Sequence, residues 1–214
     1  MHKLVAAVEK HGQRMEKALE FFWKNPQTGY REWKGHQYLA DAFRELGYDL
    51  TEAGNIPGFY TDVATGRSGP MVLVMGELDS LLCDTHPEAD PQTGAVHSCG
   101  HCCQSAALLG LAAALKEPGV LDDLCGTIRL MAVPAEELIE VEFREQLRRD
   151  GAFDTVYPSH GDAIVPADIL EDHLALAEEV LGGKAIPAGP APDWFPDDVK
   201  VYRHGRAQMY YPCE

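Results

Sequence analysis

The chain has 214 residues, 45% of them apolar and 24% charged, a balance that suits a packed globular core and is too apolar for disorder. Thirty-four acidic against eighteen basic side chains leave a net charge of −16, a field that repels phosphate backbones and anionic lipid, so nucleic-acid and membrane partners are not expected. No run approaches the ~20 apolar residues of a membrane span, and Met1, His2, Lys3 and Leu4 open no apolar leader, so the expected setting is cytoplasmic.

Leu4, Val8, Met15, Leu19 and Phe22 recur at helical spacing and predict one amphipathic helix over the first two dozen residues. Leu39, Phe43 and Leu46 mark a second helix, stopped near Gly47. Phe59 to Ala64 reads as an edge strand. Met71-Val72-Leu73-Val74-Met75, an unbroken apolar run, reads as a strand buried on both faces. A polar stretch from Asp79 to Ser98 follows, and a loop that long inside a domain is usually functional or disordered. Leu108, Leu111, Ala112 and Leu115 predict a helix from about Cys102 to Lys116. Thr127 to Val133 is a second buried strand, and Glu137 to Arg149 a charged helix. This order indicates an α/β domain with a largely parallel sheet. Further on, Pro166 suits the first turn of a helix with an apolar stripe from Ile169 to Val180. The α/β domain is expected over residues 1–182, with an irregular proline-rich tail over 183–214.

Open α/β sheets place their sites at the carboxyl ends of strands. Both confident strands end there in carboxylates, Glu77-Leu78-Asp79 and Glu136-Glu137. Between them lies His97-Ser98-Cys99-Gly100-His101-Cys102-Cys103, holding three of the six cysteines. Carboxylate, imidazole and thiolate converging on one edge are the ligands of a borderline divalent metal such as zinc. Each segment has another reading. A Glu-Glu pair opening a helix is favourable dipole chemistry, and Glu77 and Asp79 could be solvated turn residues. Cys99-Gly100-His101-Cys102 also has the Cys-x-x-Cys spacing of thiol oxidoreductases, although a long polar loop precedes it instead of a strand. A zinc knuckle built on Cys99 and Cys102 is a further alternative.

Taken together, three motifs resemble a known family. Glu77-Leu78-Asp79-Ser80-Leu81, His97-Ser98-Cys99-Gly100-His101 and Gly126-Thr127…Pro134-Ala135-Glu136-Glu137 stand where the co-catalytic metal amidohydrolases of the aminoacylase and carboxypeptidase family carry Asp-x-Asp-Ala-Leu, His-x-Cys-Gly-His and Gly-Thr…Pro-Ala-Glu-Glu. The nearest branch holds the hippurate, auxin-conjugate and p-aminobenzoyl-glutamate hydrolases. The resemblance covers about residues 1–155. It implies a three-layer αβα metallopeptidase-type catalytic domain with a mostly parallel sheet, in shortened form. It further implies that Cys99, His101 and Glu137 ligate one or two divalent ions (Zn, Mn or Co), that Glu136 is the general base, and that Asp79 orients a ligand. His160, in Ser159-His160-Gly161-Asp162, is the best remaining ligand. The substrate class implied is a small N-acyl amino acid or short peptide, with no substrate-binding residue assigned. Departures are Cys102 where the branch has Asp or Asn, Gln104 where it often has His, and Glu77 for Asp. Family chains run near twice this length and carry an inserted lid or dimerisation domain. No segment after Arg149 reads as that insert, so an oligomer is left open. The alternative function is a metal- or partner-binding remnant with little turnover.

Overall fold

A computed structural model describes residues 3–52, 54–138, 149, 155–156, 165–166, 175–176, 178–180, 182, 184–190, 199–204 and 207–212. They fall in two compact units, Met1–Glu140 and Val141–Glu214, each described by itself.

In the first unit the expected N-terminal helix is two helices, α1 (Lys3–Glu9) and α2 (Gly12–Lys24). The chain breaks at Lys10 and His11, whose backbone N–H groups donate to Ala7 and Val8 in short turns. α3 (Trp33–Glu45) buries His36, Leu39, Ala40 and Phe43 and ends before Gly47, whose φ of +77° suits a residue without Cβ. A four-stranded sheet follows, built from β1 (Thr51–Glu52), β2 (Phe59–Ala64), β3 (Met71–Glu77) and a later strand, β6 (Thr127–Val133). Its order is β1-β2-β6-β3.

β3 and β6 run parallel, in register from Met71 opposite Thr127 to Glu77 opposite Val133. The crossover between them is the long loop, pinned by a small hairpin of β4 (Leu81–Leu82) and β5 (Ala95–Val96), followed by α4 (His101–Leu115). β2 joins β6 antiparallel along its whole length, and β1 adds to β2 antiparallel. The α/β class therefore holds, with a sheet of mixed pairing among the described residues. Two strand expectations change. β2 is not at the sheet's edge, because β6 and β1 flank it. β3 is not buried on both faces: it ends the sheet order, and Val72 is 37% exposed.

α4 is apolar all round and lies buried along most of its length against β3 and β6, with α1, α2 and α3 packed on it. Gly110 lets α2 approach, since a Cβ there would strike the Met15 side chain. Phe22, Leu39, Phe43, Leu78, Leu109 and Leu130 fill the core. Within it the Tyr48 hydroxyl donates to the Ala112 carbonyl at 2.9 Å, and burial pushes the phenol up to about 12. The charged helix expected from Glu137 starts as a short 3-10 turn, Glu136–Leu138, and mostly lies outside the described residues.

The second unit holds β7 (Thr155–Val156) paired antiparallel with β8 (Val165–Pro166). Pro166 thus sits in a two-residue strand instead of a helix's first turn, a place open to proline where no ladder donor is needed. Residues 175–176 and 178–180 are helical, within the expected stripe. The tail is not irregular throughout. β9 (Gly189–Pro190), β10 (Val199–His204) and β11 (Ala207–Pro212) form an antiparallel sheet ordered β11-β10-β9. Strand-favouring Val199, Val201, Tyr202, Tyr210 and Tyr211 outweigh the flanking prolines here. Leu176 and Tyr202 are buried in one small cluster of the second unit. Among the described residues no helix is long and apolar enough to cross a membrane.

Candidate metal centre

The parallel β3–β6 pair sets Glu77 beside Val133, so the segments that leave the two strands emerge side by side. The ladder runs on for one bond, Leu78 N–H donating to the Val133 carbonyl at 2.9 Å. Beyond it, Asp79 is fully buried. Its Oδ2 accepts the Glu137 backbone N–H at 2.9 Å, and its Oδ1 stands 3.3 Å from His101 Nδ1. One carboxylate thus ties together three segments distant in sequence.

His101 is the first residue of α4 and is buried. Its Nδ1 lies 3.0 Å from the Asp79 carbonyl oxygen, which can only accept, so Nδ1 carries a hydrogen and Nε2 faces outward. Nε2 meets Glu77 Oε2 at 2.9 Å and Glu136 Oε2 at 3.6 Å. Gly100 makes this approach by adopting φ +102° between Cys99 and His101, a left-handed conformation costly for any residue with a Cβ. Ligand atoms of Cys99, His101 and Glu137 all lie within 4.8 Å of one another, and so do those of Glu77, His101 and Glu136.

Electrostatics follow the geometry. Burial opposes charge on His101, yet hydrogen bonds with Asp79, Cys99 and Glu77 outweigh it and raise the imidazole well above its ordinary range. Burial likewise opposes charge on Asp79, but the His101 and Glu137 hydrogen bonds prevail and hold it low. A thiol, an imidazole with its outer nitrogen turned toward the carboxylates, and several carboxylates are the donors a borderline divalent ion takes, and the Asp79–His101 contact is the backing a metal-bound histidine normally has. The residues fit a divalent metal.

Of the residues singled out from sequence, Asp79, Cys99, His101, Glu136 and Glu137 come together here, while His160 lies outside the described residues. Cys102 does not join them as a reactive thiol. It is buried, its Sγ lies 3.7 Å from the His97 carbonyl, and burial with the neighbouring Cys103 pushes it up to about 11. A thiol held protonated is a poor nucleophile, which weakens the oxidoreductase reading.

Three participants carried no role in the sequence reading. Glu77 is one; it is the last residue of β3, and its place at the carboxyl end of that strand is the signal that could have marked it. Glu32, fully buried at the N-cap of α3, accepts the Ala135 backbone N–H at 2.8 Å. Ala135 has φ +60°, so Glu32 secures the left-handed turn that presents Glu136 and Glu137. Burial pushes the Glu32 carboxyl up to about 7. His97 is also buried, edge-on to Phe22, and its ring nitrogens have no hydrogen-bond partner. Burial and the nearby His101 charge lower it to about 4.

No family model matches the chain. It is 32% identical over 115 residues to N-acetyl-L-cysteine deacetylase of Bacillus subtilis, covering 52% of this chain and 27% of that protein. It is 28% identical over 157 residues to a p-aminobenzoyl-glutamate hydrolase of Escherichia coli, covering 70% of this chain and 32% of that protein. The matched stretch thus spans less than a third of either curated relative. In fold it resembles the Bacillus subtilis YXEP protein, a dinuclear metal binding peptidase of the M20 family, with TM-score 0.56 at 19% identity, covering 67% of this chain and 40% of that one. In its three ordered motifs and in these relatives, the chain is similar to the metal-dependent amidohydrolases of the aminoacylase and carboxypeptidase family.

Proposed function

We propose that the chain is a metal-dependent hydrolase that cleaves the amide bond of small N-acyl amino acids or short peptides. The observation that carries this reading is the convergence of Cys99, His101 and Glu137 within ligand distance, beside Glu136 and over a buried Asp79. Cys99, as thiolate, His101 through Nε2, and Glu137 would hold one or two divalent ions (Zn, Mn or Co). Such an ion, when bound, supplies Lewis-acid polarisation of the scissile carbonyl and acidifies water at the site.

The chain's own groups do the rest. Glu136 has a side chain 45% exposed, on the open side of His101. There it reaches a water, takes its proton and returns it to the departing amine, work for which general acid–base catalysis typically supplies 10²–10⁴-fold. Asp79 fixes the His101 tautomer and, through the Glu137 N–H, the position of the Glu136–Glu137 pair. Glu32 secures the same turn from behind.

The test is hydrolysis of a panel of N-acetyl and N-benzoyl amino acids and dipeptides by the purified chain loaded with Zn, Mn or Co. Turnover that disappears in E136Q supports the reading. A second reading is a metal-binding relative without turnover. Stoichiometric metal without hydrolysis of any panel member selects it.

A further inference from the structure

Glu77 closes β3 and is held from both sides of its backbone by α4. Its N–H donates to Gln104 Oε1 at 3.3 Å, and its carbonyl accepts the Ser105 hydroxyl at 2.8 Å. Its side chain, 16% exposed, is thereby aimed along one line, and its Oε2 ends 2.9 Å from His101 Nε2. That nitrogen is the one left for ligation once Nδ1 is committed to Asp79.

Ligand atoms bound to a first-row divalent ion at ~2.0–2.2 Å in a tetrahedral arrangement lie about 3.4 Å from one another. The Glu77 and Glu136 separations from Nε2, 2.9 Å and 3.6 Å, stand on either side of that value. Of the two carboxylates, Glu77 is nearer, less exposed and fixed through its backbone to the helix that carries His101. Glu136 is more distant and on the open side, where a base needs to be. Behind them Asp79 Oδ1, fully buried, stands 3.3 Å from Nδ1 of the same imidazole. Four carboxylates and a thiol gathered around one part-enclosed imidazole call for a divalent cation to offset their mutual repulsion.

We propose that Glu77 is a direct ligand of the divalent ion bound by His101. This rests on the metal-centre reading above and adds to it a ligand to which the resemblance assigns no role. A carboxylate added to imidazole and thiolate broadens the site from zinc and cobalt toward manganese.

The experiment is calorimetric titration of the full chain with Zn²⁺ and with Mn²⁺, paired with the visible absorption of the Co²⁺-loaded protein, for wild type and Glu77→Gln. The expected result is at least a tenfold loss of affinity in E77Q together with a shifted Co²⁺ ligand-field band. Wild-type affinity within twofold and an unchanged band would show that Glu77 only accepts a hydrogen bond from His101, and would overturn the assignment. If E77Q fails to fold by circular dichroism, Glu77→Asp carries the same test. Its shorter carboxylate shifts the band and weakens binding if position 77 ligates, and unchanged values overturn the assignment. A wild-type chain that takes up no ion overturns the metal-centre reading itself, a distinct outcome.

Discussion

The Asp79 carboxylate accepts the backbone N–H of Glu137 at 2.9 Å while wholly removed from solvent. This bond joins the end of β3 to the end of β6 and makes the position of the Glu136–Glu137 pair depend on a residue almost sixty positions earlier. Replacing Asp79 by Asn sets a side-chain amide where an acceptor is needed and removes the charge that backs His101. The expected outcome is a 10–100-fold loss in metal affinity, read by calorimetry, with the helical circular dichroism retained.

Glu136→Gln should separate binding from chemistry. The amide keeps the shape of the side chain and cannot take a proton. Metal content, measured by mass spectrometry, should match the wild type, while turnover falls by about 10²–10⁴-fold. A parallel loss of metal would recast Glu136 as a ligand.

Stability should depend on pH in two opposing ways. Burial raises Glu32 from 4.5 to about 7 in the folded chain. The folded state therefore favours its neutral form, and this stability, full below pH 4.5, is lost as pH rises through about 7. Glu32→Gln should match the wild type in acid and exceed it above neutrality by about 3 kcal/mol, an order of magnitude read by urea denaturation. Burial lowers His97 from 6.5 to about 4, so its contribution is present above pH 6.5 and is lost as pH falls through about 4. His97→Phe, beside Phe22, should therefore lose less stability on acidification than the wild type. Equal pH profiles for both variants and the wild type would contradict these shifts.

Gly100 supplies the left-handed residue between Cys99 and His101, and its Cβ position is open, so the cost of a side chain there is one of backbone alone. Gly100→Ala should destabilise the chain by about 1–2 kcal/mol and weaken metal binding as well, because the strain is relieved only by parting the two proposed ligands. Thermal melts with and without Zn²⁺ check both effects.

Much of this arrangement was legible in the residues. The apolar runs at Met71 and Thr127 set the two parallel strands, and the periodicity from Leu108 set the helix between them. With those three elements, Asp79, Cys99, His101, Glu136 and Glu137 had to meet at one sheet edge. What stayed hidden depends on contacts that no local pattern records. Glu32 reaches Ala135 across 103 positions, and nothing near it in sequence signals a buried carboxyl. The first helix breaks at Lys10 and His11, and Gly12, which follows them and opens α2, was the one local signal, too weak against the apolar periodicity that runs through it. The strands of the tail were masked by prolines at their flanks, which weigh against a strand by propensity but not at an edge.

The central claim is that Cys99, His101 and Glu137 hold a divalent ion that Glu136 uses for hydrolysis. Elemental analysis of the purified chain after loading with Zn²⁺ and dialysis, for the wild type, C99A and E137A, tests it most directly. The account predicts at least one ion retained per wild-type chain and its loss in both variants. Metal absent from the wild type, or retained equally in both variants, would contradict it.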